Sequence, residues 1–300
     1  MADPNHTKSC RLPDFLIIGA MKCGTTTLYR DLLTNPTVYF PIDKEPDRLT
    51  SDEVLSVAGR QSYLDLFAAA SAEQVCCEAS TSSSKLPQFP GVPQRARELL
   101  GPDLKLVYLV REPISRAISH HHHSFSAGKM PGKFEDALAS HPELVDWGKY
   151  AMQARAWLEF YPAEQLKIIP FEEYVADRKK TVAEISQFLG IPSEVELIEE
   201  EKAFNNSKTD TRLATGRWHK VTNHPFYTDW IRPWLPLGVK DRLRDALLPP
   251  LPSKPAAPGP DTIQRILERV RDDAAELQVL LGRKQPVWDF DRVVERVGKS

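Results

Sequence analysis

A chain of 300 residues, 41% hydrophobic and 27% charged, can bury one sizeable core and is too short for two large domains. Its 39 basic residues against 41 acidic ones leave a net charge of −2, which argues against a large polyanion, nucleic acid included, as the main partner. Cys10, Cys23, Cys76 and Cys77 follow no zinc spacing, and the start MADPNHTKSCRLP has no apolar stretch able to enter a bilayer. Free thiols, a cytoplasmic location and no membrane partner are therefore expected.

In chain order, residues 1–13 read as a flexible N-terminus and 14–300 as a single domain. FLIIG at 15–19 is an apolar run that predicts a buried strand. A glycine-containing turn and a helix over 25–34 follow, and Asn35-Pro36 ends the helix. QVCCE at 74–78 is a weaker strand, and LKLVYLV at 104–110 a second strong one, after which Pro113 opens a helix. A helix over 147–161 stops at Pro162. LKIIP at 166–170 is a further strand, and the helix after it ends at Gly190-Ile191-Pro192. Residues 204–260 read as an irregular insertion, rich in Trp, Pro and His through 204–250 and proline-rich at 249–260. A C-terminal helix over 261–283 closes the pattern, its amphipathic part running from Asp261 to Leu281. Strands alternating with helices predict an α/β fold, a mostly parallel sheet flanked by helices.

The segment Gly19 to Thr26 reads G-A-M-K-C-G-T-T, after a strand and before a helix. In that setting backbone N–H groups and the helix N-terminus hold phosphate oxygens. The two glycines have the spacing of a Walker A loop, but Thr25 stands where that motif has lysine, and the lysine has moved into the loop as Lys22. From there it can reach the oxygen between a 5'-phosphate and the group attached to it, with Thr25 and Thr26 as further donors. No apolar strand ends in a metal-binding aspartate, since LKLVYLV runs into Arg111, so a Mg-ATP kinase fits awkwardly.

A second anion site is legible in YLVREPISRAIS at 108–119. Arg111 lies at the C-terminal end of a predicted parallel strand, where open α/β sheets bind ligands. Ser119 follows on the next helix, where Ser115, Ser119 and His122 share one face and Ile114, Ile118 and Phe125 another. Arginine with a serine hydroxyl can clamp a phosphate. Two anion sites on adjacent strand ends suit a nucleotide with phosphates on both ends of its ribose.

FLIIGAMKCGTTTLYRDL resembles the 5'-phosphosulfate loop of sulfotransferases that use PAPS (3'-phosphoadenosine 5'-phosphosulfate). LVREPISRAISHHHHSF resembles their 3'-phosphate motif. Gly148-Lys149-Tyr150 with Trp157, then IIPFEEYVAD, ISQFLGIP and LLGRKQPVW, are similar to bacterial and heparan-type members. The resemblance implies the P-loop-like sulfotransferase fold and transfer of a sulfuryl group from PAPS to a hydroxyl or amine, leaving PAP (3',5'-adenosine bisphosphate), with no metal required. It assigns Lys22 to the leaving phosphate oxygen and places Cys23, Gly24, Thr25, Thr26 and Thr27 at the 5'-phosphate. Arg111 and Ser119 fall at the 3'-phosphate, with Gly216-Arg217 closing over it.

In heparan-type members the glutamate of a Lys-Glu pair takes the acceptor's proton. Lys44-Glu45 supplies such a pair here, although Asp47-Arg48-Leu49 replaces the aromatic residues expected after it. Cytosolic members use a histidine, which makes one of His120 to His123 a rival base. Consecutive histidines on a helix point in different directions, so a shared metal site is not expected. Glu78 falls where relatives line the acceptor cleft, without the lysine and proline that often follow. Phe171 falls where they place an aromatic near adenine, and a core role is equally open to it. The aromatic residues of 204–250 (Trp218, Phe226, Tyr227, Trp230, Trp234) suggest a lid over a small or medium-sized organic acceptor. They would otherwise pack the last helix onto the core. The competing functions are a P-loop nucleotide kinase and a non-catalytic nucleotide-binding module.

Overall fold

The computed structural model describes residues 11–198 and 255–297. The sheet is formed by β1 (Phe15–Gly19), β2 (Val38–Tyr39), β3 (Val75–Ala79), β4 (Lys105–Val110) and β5 (Leu166–Pro170). All pairs are parallel and the order is β2-β3-β1-β4-β5. Ile17 stands opposite Ala79 on one side and Val107 on the other, and Tyr108 opposite Ile168. β1 is buried along its whole length, as are all but the first residue of β4, which explains why both read as unbroken apolar runs. The chain leaves β1 toward β3 on one side and β4 on the other. This reversal opens a crevice at the C-terminal ends of β1 and β4.

The helices are α1 (Thr25–Leu33), α2 (Val57–Asp65), α3 (Val92–Leu100), α4 (Pro113–Ser126), α5 (Phe134–Ser140), α6 (Glu143–Asp146), α7 (Tyr150–Leu158), α8 (Phe171–Ala176), α9 (Arg178–Leu189), α10 (Pro260–Leu280) and α11 (Phe290–Val297). Ile263, Ile266, Leu267 and Val270 recur at helical spacing along α10 and pack against Ile114, Ala117, Phe134 and Val145. Gly190 ends α9 in the left-handed conformation, as expected of a glycine stop.

Three features depart from the sequence reading. The helix expected over 147–161 is shorter than expected: α7 spans Tyr150–Leu158, and the four-residue α6 ends at Asp146, before the expected range. The amides that open α7, those of Ala151 and Met152, donate to the carboxylate of Asp273 on α10 at 3.0 and 2.8 Å instead of continuing a preceding turn. β3 runs one residue further than predicted, to Ala79. β2, α2, α3, α5 and α11 are further elements that the sequence reading did not place. At the N-terminus, Arg11 donates to the carbonyls of Ser71 and Ala72, both at 2.8 Å. The stretch 204–250, with its aromatic residues, lies outside the described residues.

One buried network holds α1 to the helices after β5. Tyr174 donates to Asp31 at 2.5 Å, and Arg178 donates to both oxygens of the same carboxylate, at 3.1 Å through Nε. Asp31 and Arg178 are 3% and 7% exposed. The pair is thus a desolvated charge pair with further hydrogen bonds, the kind that fails badly when one partner is removed.

Candidate functional site

The loop between β1 and α1 is a tight backbone cradle. Gly19 has φ +143, and a Cβ there would lie 2.0 Å from the Ser84 hydroxyl. Ala20 donates its N–H to Leu109 at 2.7 Å, tying the loop to β4. Lys22 (φ 69) and Gly24 (φ 87) are both left-handed, which turns the chain sharply before α1. Thr27 and Leu28 donate to the Gly24 carbonyl, so the helix starts with the amides of Thr25 and Thr26 pointing out of its end. An α-helix of 9 residues with such a start favours anions through both its N–H groups and its dipole.

Arg111 and Lys22, 89 positions apart, meet here. The Arg111 guanidinium donates to the Lys22 carbonyl at 3.2 Å and lies 4.8 Å from the centre of the Phe171 ring. The same ring covers Gly24 so closely that a Cβ would sit 2.8 Å from it. Phe171, half-buried, therefore touches both loops. Tyr150, at the start of α7, makes a second joint. Its hydroxyl accepts from the Arg111 amide at 3.3 Å and lies 3.6 Å from the Cys23 sulfur. Burial pushes the Cys23 thiol up to about 11, outweighing the bond to Tyr150, so it stays neutral at ordinary pH. The Cys23 amide is spent on the Ala20 carbonyl at 3.1 Å. Thr25 and Thr27 are buried and Thr26 half-buried.

Two turns into α4, Ser119 is half-buried together with Ser115 and His122, while Ile114, Ala117 and His121 face the interior. The face expected from helical spacing is therefore the one turned outward. Glu112 caps this helix, accepting from the Ile114 and Ser115 amides at 2.7 Å each. Its own amide donates to Glu172, whose second oxygen accepts from the Trp288 indole at 3.0 Å. Trp288 in turn packs on Tyr150, ring centres 5.8 Å apart. This gives the tail motif LLGRKQPVW a structural sense. Gly216 and Arg217 lie outside the described residues.

Across the crevice, Glu45 (φ 63) and Asp47 (φ 55) sit in a twisted loop. Glu45 pairs with Lys44 and accepts from the Thr81 hydroxyl at 3.3 Å, and Asp47 accepts from the Ser82 hydroxyl. Lys85, just beyond that serine-rich turn, places its ammonium 4.8 Å over the Trp147 ring, and His120 stacks on the same ring at 4.9 Å. Burial, then the charges of Arg116 and Lys85 and more weakly of Lys22, push His120 down to about 2. Glu78 is 1% exposed and accepts from the Tyr63 hydroxyl, with burial raising its pKa, so it supports the wall from behind.

The four histidines diverge. His120 Nδ1 faces an Arg116 N–H at 3.4 Å, and because arginine can only donate, that nitrogen holds the lone pair and Nε2 the proton. His121 donates from Nε2 to the Pro131 carbonyl at 2.8 Å and packs edge-on against Phe134. Among the described residues, no three His, Cys, Asp or Glu side chains converge as a metal site. Sequence reasoning singled out Lys22, Arg111 and Glu45 but gave no part to Lys85, Trp147 or Arg116.

The family model for the sulfotransferase domain matches residues 12–228. The chain belongs to the sulfotransferase family. This sulfotransferase is 26% identical over 283 residues to mouse carbohydrate sulfotransferase 15, an alignment covering 71% of this chain and 50% of the mouse protein. It is 30% identical over 219 residues to the bifunctional heparan sulfate N-deacetylase/N-sulfotransferase of Drosophila melanogaster, covering 62% of this chain and 20% of that one. It thus spans about half the length of the first relative and a fifth of the second. A crystal structure of a sulfotransferase from Alicyclobacillus acidocaldarius shares the fold, with a TM-score of 0.63 at 23% identity over 92% of this chain and 98% of that one. Membership leaves the kinase reading without support. Among the described residues, no helix is long and apolar enough to cross a membrane.

Proposed function

We propose that this sulfotransferase moves the sulfuryl group of PAPS to a hydroxyl or amine of a small or medium-sized organic acceptor. The observation that carries the reading is the joint between the two anion loops, where the Arg111 guanidinium reaches the Lys22 carbonyl under the Phe171 ring. PAPS supplies an activated sulfuryl group and phosphates at both ends of its ribose, and the cradle fits it. Gly24 leaves no space for a side chain, the α1 N-terminus presents open amides, and Arg111 stands beside them.

In this mechanism Lys22 neutralises charge on the phosphate oxygen from which the sulfuryl group departs, and the backbone of Gly24 with Thr25 and Thr26 holds the 5'-phosphate. Thr27 and Cys23 shape the loop from inside. Arg111 and Ser119 hold the 3'-phosphate, and Gly216-Arg217 is assigned there on resemblance alone. Glu45 takes the acceptor's proton; its bonds to Lys44 and Thr81 hold its carboxylate in place. His120 is a poor rival, since its lone pair already faces Arg116. The mechanism itself needs no metal. The buried, unbridged Cys23, Cys76 and Cys77 fit the reducing cytoplasm.

Calorimetric titration with PAP, alongside ATP with and without Mg²⁺, tests the reading. PAP should bind without metal and more weakly to Arg111→Ala. Binding of Mg-ATP in preference to PAP would sink it.

A further inference from the structure

Lys85 occupies an unusual position for a lysine. It is half-buried, and among the described residues no carboxylate lies within 4.0 Å of its ammonium and no hydrogen bond engages it. The contact it makes is with the face of Trp147 at 4.8 Å, and the His120 ring stacked on the same indole at 4.9 Å holds it as a platform. A desolvated cation without an acceptor is costly unless something else completes it. Among the described residues no carboxylate lies within ion-pair distance. Glu45 and Asp47 act on it from further away; Lys44 already pairs with Glu45, and Asp47, which accepts from the Ser82 hydroxyl, is exposed to solvent. Lys44 and Lys129 add further positive charge. Burial lowers the pKa of Lys85, the direction expected of an ammonium waiting for a counter-ion. Near it, the Trp147 indole N–H is buried without an acceptor.

We infer that Lys85 is the acceptor-recognition cation of this site, and that the acceptor carries an anionic group, a carboxylate or a sulfate ester, beside the hydroxyl or amine it offers to Glu45. The inference rests on the sulfotransferase reading above and names the substrate class within it. Lys85 lies on the Glu45 wall, so it orients the acceptor rather than the donor. The Trp147 platform and the adjoining cavity of about 240 Å³, lined by Pro87, Gln88, Pro142 and Trp147, would take the acceptor's apolar part. Two acids also line that cavity: Asp146, paired with Lys149 at 2.8 Å, and Glu143, 2.9 Å from a ring nitrogen of His141.

The test titrates the PAP-bound protein with aromatic hydroxy acids, their methyl esters and their sulfate-ester counterparts, for wild type, Lys85→Met and Lys85→Arg. Wild type should bind acid over ester by about tenfold or more, the scale of one charge-assisted hydrogen bond. Lys85→Met should bring that ratio close to one while PAP affinity holds, and Lys85→Arg should keep most of it. Carboxylate against sulfate members shows which anion the cleft prefers. Equal or absent binding of acid and ester by wild type, or a preference that survives Lys85→Met, overturns the inference. If PAP itself does not bind, it is the sulfotransferase reading that fails, and the two failures are distinct.

Discussion

On the donor side of the crevice, Tyr150, Phe171 and the Arg111 guanidinium interlock around a loop whose every turn is fixed by backbone bonds or by lack of space for a side chain. On the side proposed for the acceptor, Glu45 and Lys85 are half-buried and Asp47 is exposed, all on short loops; the Thr81 and Ser82 hydroxyls donate to the two carboxylates, and Lys85 lies over the Trp147 ring. Under the proposed function, the donor side is thus preorganised, and on the acceptor side Lys85 is the charge left for the substrate to complete. The contrast suggests that the donor is shared chemistry and the acceptor is where a sulfotransferase becomes particular.

The sharpest way to break the contrast is to loosen α1 from beneath. Asp31→Ala leaves Arg178 buried without its carboxylate, and a loss of about 3–5 kcal/mol in chemical denaturation is expected. PAP affinity in the surviving folded fraction would fall with it if the cradle's rigidity matters. Lys22→Ala comes next. It should lower the transfer rate by about 10²–10³, read in single-turnover assays. A smaller effect is expected of Arg111→Ala, a weakening of PAP by about 1.5–3 kcal/mol in titration, with acceptor affinity little changed.

The smallest effect concerns His120, between the two sides. Its folded pKa of about 2 lies below the ordinary histidine value of 6.5, so the folded state binds fewer protons. The stability it contributes is complete above pH 6.5 and is lost as pH falls toward 2, at about 1.4 kcal/mol per pH unit. His120→Gln keeps an acceptor for Arg116 and should shrink the stability difference between pH 7 and pH 5 by about 2 kcal/mol. Transfer should persist in this variant and collapse in Glu45→Gln; the reverse outcome would make the histidine the base.

The donor side was legible because each half of it is local. FLIIGAMKCGTT and LVREPIS carry strand, turn and helix start within a dozen residues, and the physics of each can be read in order. What joins them was not. Phe171 could be placed near the nucleotide but not on Gly24, 147 positions earlier, and Tyr150 was a motif letter without a task. The acceptor side was less legible still. Lys85, His120 and Trp147 come from three elements with no pattern among them, and only packing brings them to one ring. The start of α7 at Tyr150 was missed for the same reason, because the group that caps it is Asp273, on a helix far down the chain.

That cap has a consequence for how damage to the chain would present itself. Asp273 fixes the start of α7, Trp288 lies against Tyr150, and Tyr150 bridges the Cys23 and Arg111 loops. A chain severed before Pro260 would retain both motifs letter for letter and would still be recognisable by them. It would nonetheless have lost the wedge beside Tyr150 together with the core side chains of α10, so the joint between the loops and the stability of the fold would suffer together.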